Sequence, residues 1–158
     1  IHMGAGTRWP SKAWHNDNLK EFITKAKSGG YEIILFGGPD EIEKQAKVVK
    51  ELEKSKTKVV QNNPNNTNRE FAALVSLCDA MVCSDSFALH ISLALKKPTV
   101  GLFFCTSPDE IEGYGLLEKL SSKELYNFFP ERMNEYNEAL VKSISADEVL
   151  NKIKKMLN

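Results

Sequence analysis

From residue 16 onward the chain alternates two hydrophobic periods. Leu19, Phe22, Ile23 and Ala26 recur three and four apart behind Asn16 or Asp17, either of which suits a helix cap, and Gly29-Gly30 ends that helix. YEIILF, residues 31–36, then reads as a strand. Gly37-Gly38-Pro39 breaks it, and Asp40 is placed to cap a helix over 41–52 with Ile42, Ala46, Val49 and Leu52 on one face. A short strand KVV (58–60) and an asparagine-rich loop QNNPNNTN (61–68) follow. Thr67 and Glu70 have capping-box spacing and open a helix over 69–78. Next come the strand AMVCS (80–84), an almost wholly apolar helix over 87–95 and the strand TVGLF (99–103).

Strand and helix thus alternate about four times in a hundred residues, and the strands are apolar on both faces. That pattern predicts an α/β domain: a Rossmann-like parallel sheet with helices on both faces. Beyond TSPDEIEGYG (106–115) the pattern weakens. Residues 124–140 read as a helix broken at Pro130, and Ser145 and Glu148 repeat the capping-box spacing at the head of a closing amphipathic helix. Leu116, Leu117, Leu120, Leu125, Phe128, Phe129 and Met133 either cover their own sheet or face a second domain.

The 158 residues suit one domain, which buries roughly 70% of its unfolded surface. Twenty-one basic and 21 acidic residues cancel, so the chain lacks the basic field that collects nucleic acid. Cys78, Cys83 and Cys105 are odd in number, lack zinc spacing and sit in apolar stretches, which fits a reducing, cytoplasmic setting. No apolar run approaches the length of a transmembrane segment. Ile1-His2-Met3 reads either as the last residues of a strand running into a glycine loop, which would make the chain part of something longer, or with His2-Met3 as a cloning remnant.

In an open parallel sheet, ligands bind beyond the carboxyl ends of the strands. Four loops there carry unusual residues: Gly4-Ala5-Gly6; Gly37-Gly38-Pro39-Asp40-Glu41; Ser84-Asp85-Ser86; and Cys105-Thr106-Ser107-Pro108. Each alone is readable as a tight turn or a helix cap. Together they point to an anion held by glycine-lined backbone and helix N–H groups, with Lys12 as a mobile cation nearby. Glu41 serves either the helix dipole or a sugar hydroxyl. His90, one turn into an apolar helix, reads as a hydrogen-bonded core histidine. His2 and His15 lack a partner at catalytic spacing. Trp9 and Trp14 either stack on a base or pack the first helix, and packing is the simpler reading.

The stretches IHMGAG…RWPSKAW, ILFGGPDE, NNTNREFAALVSLCDAMVCSDSFALHISLALKKPTVGLF and TSPDEIEGYG together resemble the carboxyl-terminal half of the heptosyltransferases, glycosyltransferase family nine. The resemblance implies the two-domain GT-B fold, with residues 1–158 as the single nucleotide-sugar-binding domain. It implies inverting transfer of a heptose from ADP-heptose to a lipopolysaccharide core or related surface glycan, with no cofactor required. The general base and the acceptor site would lie in an amino-terminal domain of the same chain. The resemblance also implies a cytoplasmic enzyme, either free or peripheral at the inner face of the cytoplasmic membrane. By motif, Lys12 corresponds to the lysine that meets the donor diphosphate and Glu41 to the carboxylate on the ribose. Asp85, Ser86 and His90 match the family's D-[S/T]-G-x-x-H loop. Gly6, Gly38 and Thr106 complete the implied donor site. Phe87 stands where the family has glycine, and Cys105 where proline is common.

Departure of the donor builds negative charge on a diphosphate. A lysine and fixed helix N–H groups stabilise that charge without requiring a bound metal. Asp85 would repel the phosphates if it faced them, so it is expected to cap its helix or hold sugar hydroxyls. Two rival readings stand beside the transferase: a non-catalytic sugar-nucleotide-binding module, and a GT-B-type sugar-nucleotide epimerase or hydrolase.

Overall fold

The computed structural model describes residues 1–2 and 9–158. Its strands form two parallel groups. In one, β1 (Ile34–Leu35) pairs with β2 (Val60–Gln61); in the other, β3 (Met81–Ser84), β4 (Thr99–Phe103) and β5 (Leu117–Ser121) lie in that order. Ile1 and His2 join them. The Ile1 nitrogen donates to Ile34 O at 2.7 Å, Phe36 N donates to Ile1 O at 2.8 Å, and His2 N donates to Val82 O at 2.9 Å. The spatial order is therefore β2, β1, Ile1–His2, β3, β4, β5. This is the doubly wound arrangement, and the strand order reverses at Ile1–His2.

Strand alternation divides the core in two. Leu35, Val82, Val100 and Leu102 face α1 (Asn16–Ser28), α2 (Ile42–Lys54) and α6 (Ala146–Leu157). Phe36, Met81, Cys83 and Phe103 face α3 (Asn68–Ser76) and α4 (Phe87–Ala94). Helices thus cover both faces, as the apolar strands predict. Both capping boxes form: Thr67 and Ser145 Oγ atoms accept from Glu70 N and Glu148 N, and the two carboxylates accept in return.

Several elements differ from the sequence reading. The strand read at 31–36 is regular only at Ile34–Leu35, and that at 58–60 is shifted to Val60–Gln61. The α1 cap is His15, whose Nδ1 accepts from Asp17 N, rather than Asn16 or Asp17. Asp40 caps nothing: Pro39–Glu41 form a 3-10 turn, and Glu41 stands at the N-cap of α2. The buried stripe of α2 is Gln45, Val48 and Leu52, while Ile42 is 46% exposed. Gln45 enters the core because its Nε2 donates to Leu35 O at 2.9 Å, which satisfies both groups. Residues 124–140 hold no long helix, only a 3-10 turn (Leu125–Asn127) and the start of α5 (Glu138–Lys142). Strand β5 had no signal in a sequence with exposed Lys119 and Ser121. Of the apolar residues of this region, Leu125 and Phe128 are buried, and Leu116, Leu117, Leu120 and Phe129 pack on the two core clusters, while Met133 is half-buried.

The carboxyl-terminal segment is tied to the chain before α1. Ser11 Oγ donates to Glu135 O at 2.7 Å and accepts from Asn137 N at 3.0 Å. Trp14 Nε1 donates to Ile144 O at 2.9 Å, His15 N to Val141 O at 3.2 Å, and Asn18 Nδ2 to Lys142 O and Ile144 O. Trp14 is accordingly a core residue.

At the centre of the sheet, a Cβ added at Gly101 would lie 2.9 Å from Phe103 Cε2 and 3.0 Å from Leu117 Cδ1. Phe103 is wholly buried and cannot withdraw. Gly101→Val is expected to cost about 1–3 kcal/mol by overpacking, read as a lower urea midpoint with an unchanged slope.

Candidate functional site

The reversal of strand order at Ile1–His2 opens a crevice at the carboxyl ends of β1, β3 and β4. Gly6, with its neighbours Gly4 and Ala5, lies outside the described residues. The other loops predicted to meet there do so in part.

Lys12 sits in a 3-10 turn, Pro10–Lys12, and is 7% exposed. Its Nζ donates to Asp85 Oδ2 at 2.9 Å and lies 4.3 Å from the centre of the Trp9 ring. It is therefore a fixed, desolvated cation and not a mobile one. Asp85 in turn neither caps α4 nor points freely at the crevice. Its carboxylate is the counter-ion of Lys12, because a buried ammonium without a partner is costly.

With Asp85 so engaged, α4 begins without a side-chain cap. Ser86 occupies the N-cap position, extended at φ −156°, yet its Oγ accepts from no backbone N–H. Ser86 Oγ is buried and has no hydrogen-bond partner. The same is true of Thr106 Oγ1, at the end of β4, where the residue is 4% exposed. Cys105, the residue before Thr106, is buried, and its thiol lies within electrostatic reach of both Lys12 and Asp85. Two orphaned hydroxyls and one uncapped helix start are a cluster of donors lacking an acceptor.

Gly38 and Glu41 form the third side. Glu41 Oε2 accepts from Gly38 N at 2.8 Å, closing the turn after β1. Gly37 is held from outside, its N–H donating to Asn62 Oδ1 at 2.9 Å and its carbonyl accepting from Asn62 Nδ2 at 3.0 Å. Asn62 was legible only as loop composition, since nothing in a spacing of 25 residues announces such a pairing. Lys44 was also missed. It stands one turn after Glu41, and burial pushes its ammonium below the usual lysine range, with Glu41 partly opposing the shift.

His90 is not a core histidine. The buried positions of α4 are Ala88, Leu89, Ser92 and Leu93, which leaves Phe87, His90 and Ala94 on the exposed face. Phe87 is 52% exposed, with its ring 5.9 Å from Phe71 of α3, so it leans along the helix surface. His90 instead borders an open recess with Glu110, Glu112 and Tyr114. Among the described residues, no group of three His, Cys, Asp or Glu could hold a metal ion, and no helix is long and apolar enough to cross a membrane.

Two outcomes check this geometry. Asp85→Ala leaves the Lys12 ammonium unpaired and is expected to cost about 3 kcal/mol; Lys12→Met combined with Asp85→Ala should cost less than the two single changes summed, as denaturation of the four proteins would show. Burial pushes the Cys105 thiol up to about 11 and that of Cys83 up to about 12. At pH 8, a thiol reagent is expected to label half-buried Cys78 first and to reach Cys83 and Cys105 only after urea unfolding.

Residues 1–139 match the family model of glycosyltransferase family 9 (heptosyltransferase). The chain is 30% identical over 101 residues to lipopolysaccharide heptosyltransferase 2 of Salmonella typhimurium, a match that covers 63% of this chain and 29% of the relative. The chain likewise spans 29% of the Escherichia coli lipopolysaccharide heptosyltransferase 2, at 29% identity. Among solved structures, the fold superposes on E. coli ADP-heptose lipopolysaccharide heptosyltransferase II with a TM-score of 0.77 at 23% identity, covering 99% of this chain and 45% of that one. A family 9 glycosyltransferase from Veillonella parvula superposes with a TM-score of 0.79 at 22% identity, covering 99% and 45%. An E. coli heptosyltransferase with ADP gives a TM-score of 0.72 at 21% identity, covering 98% and 43%. The α/β fold, the doubly wound sheet and the family model agree, and the chain belongs to glycosyltransferase family 9, the heptosyltransferases.

Proposed function

We propose that this chain is the donor-binding half of a two-domain heptosyltransferase, and that its crevice holds the diphosphate of an ADP-sugar. The observation that carries the reading is the pair of buried, partnerless hydroxyls, Ser86 Oγ and Thr106 Oγ1, set beside the Lys12–Asp85 ion pair. Each hydroxyl is a donor in want of an acceptor, and phosphate oxygens supply acceptors in abundance. The uncapped start of α4 adds backbone N–H groups and the positive end of a helix dipole.

In the whole enzyme the reaction is inverting transfer of a heptose to a lipopolysaccharide core or related glycan. An acceptor hydroxyl, deprotonated by a base in the other domain, attacks the anomeric carbon as the nucleoside diphosphate leaves. The residues of this chain act on the leaving side. Lys12 and the α4 N–H groups meet charge as it grows on the diphosphate, an interaction stronger in the transition state than in the bound donor. Asp85 holds the Lys12 ammonium in place beforehand, so little reorganisation is needed when charge develops. Glu41 keeps one oxygen on Gly38 N and offers the other to the ribose hydroxyls. Phe87 leans towards Phe71 of α3.

The test is calorimetric titration with ADP, UDP and GDP of the chain and of Thr106→Val and Lys12→Ala. Saturable binding of ADP is expected, weakened about tenfold by the loss of one hydrogen bond in Thr106→Val and more by Lys12→Ala. Binding of ADP that neither substitution changes would overturn the assignment of this crevice.

A further inference from the structure

Residues 47–58 carry five lysines, Lys47, Lys50, Lys54, Lys56 and Lys58, all of them exposed. Among the described residues no carboxylate pairs with any of these five ammonium groups, whereas Lys12, Lys20, Lys25, Lys27, Lys142 and Lys152 are each held in an ion pair. The acids nearby offset the five only in part. Glu51 is taken by Lys20 of α1, which leaves Glu43 and Glu53. A chain whose charges cancel as a whole thus keeps a basic strip on one helix and on the turn that follows it.

The helix period sets where the strip faces. Gln45, Val48 and Leu52 turn one side of α2 to the core. Lys47, Lys50 and Lys54 recur three and four apart on the opposite side and form an outward stripe about 10 Å long. Ile42 is about two and a half turns from Glu51, so it stands opposite the flank that meets α1. Since α2 links β1 to β2, the outermost strand among the described residues, that free flank faces the edge of the sheet. It carries Ile42, 46% exposed, and exposed Ala46, while Val60 of β2 is 58% exposed.

We propose that this corner, the outward lysines of α2 and its following turn together with Ile42 and Val60, is a docking surface for a membrane rich in anionic lipid. Lysine stems lie along apolar surface while their ammonium groups reach the lipid phosphates, and the exposed apolar side chains enter the headgroup boundary. The attraction is local and fades within a Debye length, so it needs no net charge on the whole chain. The strip is the convex outside of a helix, which offers a peptide or a nucleic-acid strand no groove to enter. A flat lipid surface meets such a face along its length.

The orientation rests on the reading of this chain as the donor-binding half. As a crossover between parallel strands, α2 runs antiparallel to them, and Glu41 at its start borders the crevice. Laid flat on a membrane, α2 brings the crevice to the level of the headgroups, opening along the surface on which a lipid-borne acceptor is presented.

Sedimentation of the 158-residue chain with lipid vesicles tests the surface. Binding is expected to vesicles of equal parts phosphatidylglycerol and phosphatidylcholine and not to phosphatidylcholine alone, and it is expected to vanish as salt rises from about 0.1 M to about 1 M. At about fivefold per lysine, Lys47→Gln/Lys50→Gln/Lys54→Gln is expected to weaken binding about a hundredfold. Lys123→Gln/Lys154→Gln/Lys155→Gln removes the same charge elsewhere and is expected to change it by less than about threefold. Equal losses in the two variants, or no binding to the anionic vesicles, would overturn the proposal. So would displacement of the chain by polyglutamate at matched charge, which would assign an acidic protein as the partner. ADP titration reads the crevice, which neither variant touches. Vesicle binding without ADP binding would leave this surface standing and remove the donor reading, and the converse result would do the reverse.

Discussion

Three backbone hydrogen bonds at Ile1 and His2 unite the sheet. Without them β1–β2 and β3–β4–β5 are separate ribbons, of two and three strands, each too narrow to support helices on both faces. With them the strand order reverses at a defined place, and the crevice follows from that reversal. Helices α1 and α2 lie on one face of the sheet and α4 on the other, and ligands of open α/β sheets bind where the connections part in this way. The chemistry of the site is thus imposed by topology first and by residue choice second.

Within the gap, one ion pair sets the electrostatics. Lys12 and Asp85 neutralise each other, and beside them stand two buried hydroxyls without partners and the uncapped N–H groups of α4. On the proposed reading, such a site distinguishes a diphosphate by geometry more than by bulk attraction. That suits a chain whose 21 acidic and 21 basic residues give no long-range steering.

Much of this was legible in the sequence because the signals were local. Helices α1, α3 and α6 declare themselves through three- and four-residue spacing, and two of them through capping boxes; β3 and β4 do so through unbroken apolar runs. The GGPDE and SDS loops mark strand ends that do converge. What escaped was non-local. Gln45 is buried with its amide donating to Leu35 O, Asp85 is diverted from its helix because Lys12 is desolvated beside it, and His90 faces outward because Leu89, Ser92 and Leu93 claim the core side of α4. The resemblance to the family placed the site residues together but could not assign Asp85 its partner. Strand β5 is held by its neighbour β4, and no periodicity of its own foretells it.

The ties between residues 11–18 and 135–144 give the carboxyl-terminal tail a part in the site that it never touches. Ser11 and Trp14 flank Lys12, and both are pinned to carbonyls of that tail. Three of the tail residues involved, Val141, Lys142 and Ile144, lie past residue 139, where the family match stops. The scaffold of the lysine therefore extends beyond the stretch that the family model matches. What the tail contributes to the lysine's placement is a path of the main chain rather than an alphabet of side chains, since every partner it offers to residues 11–18 in these bonds is a backbone group.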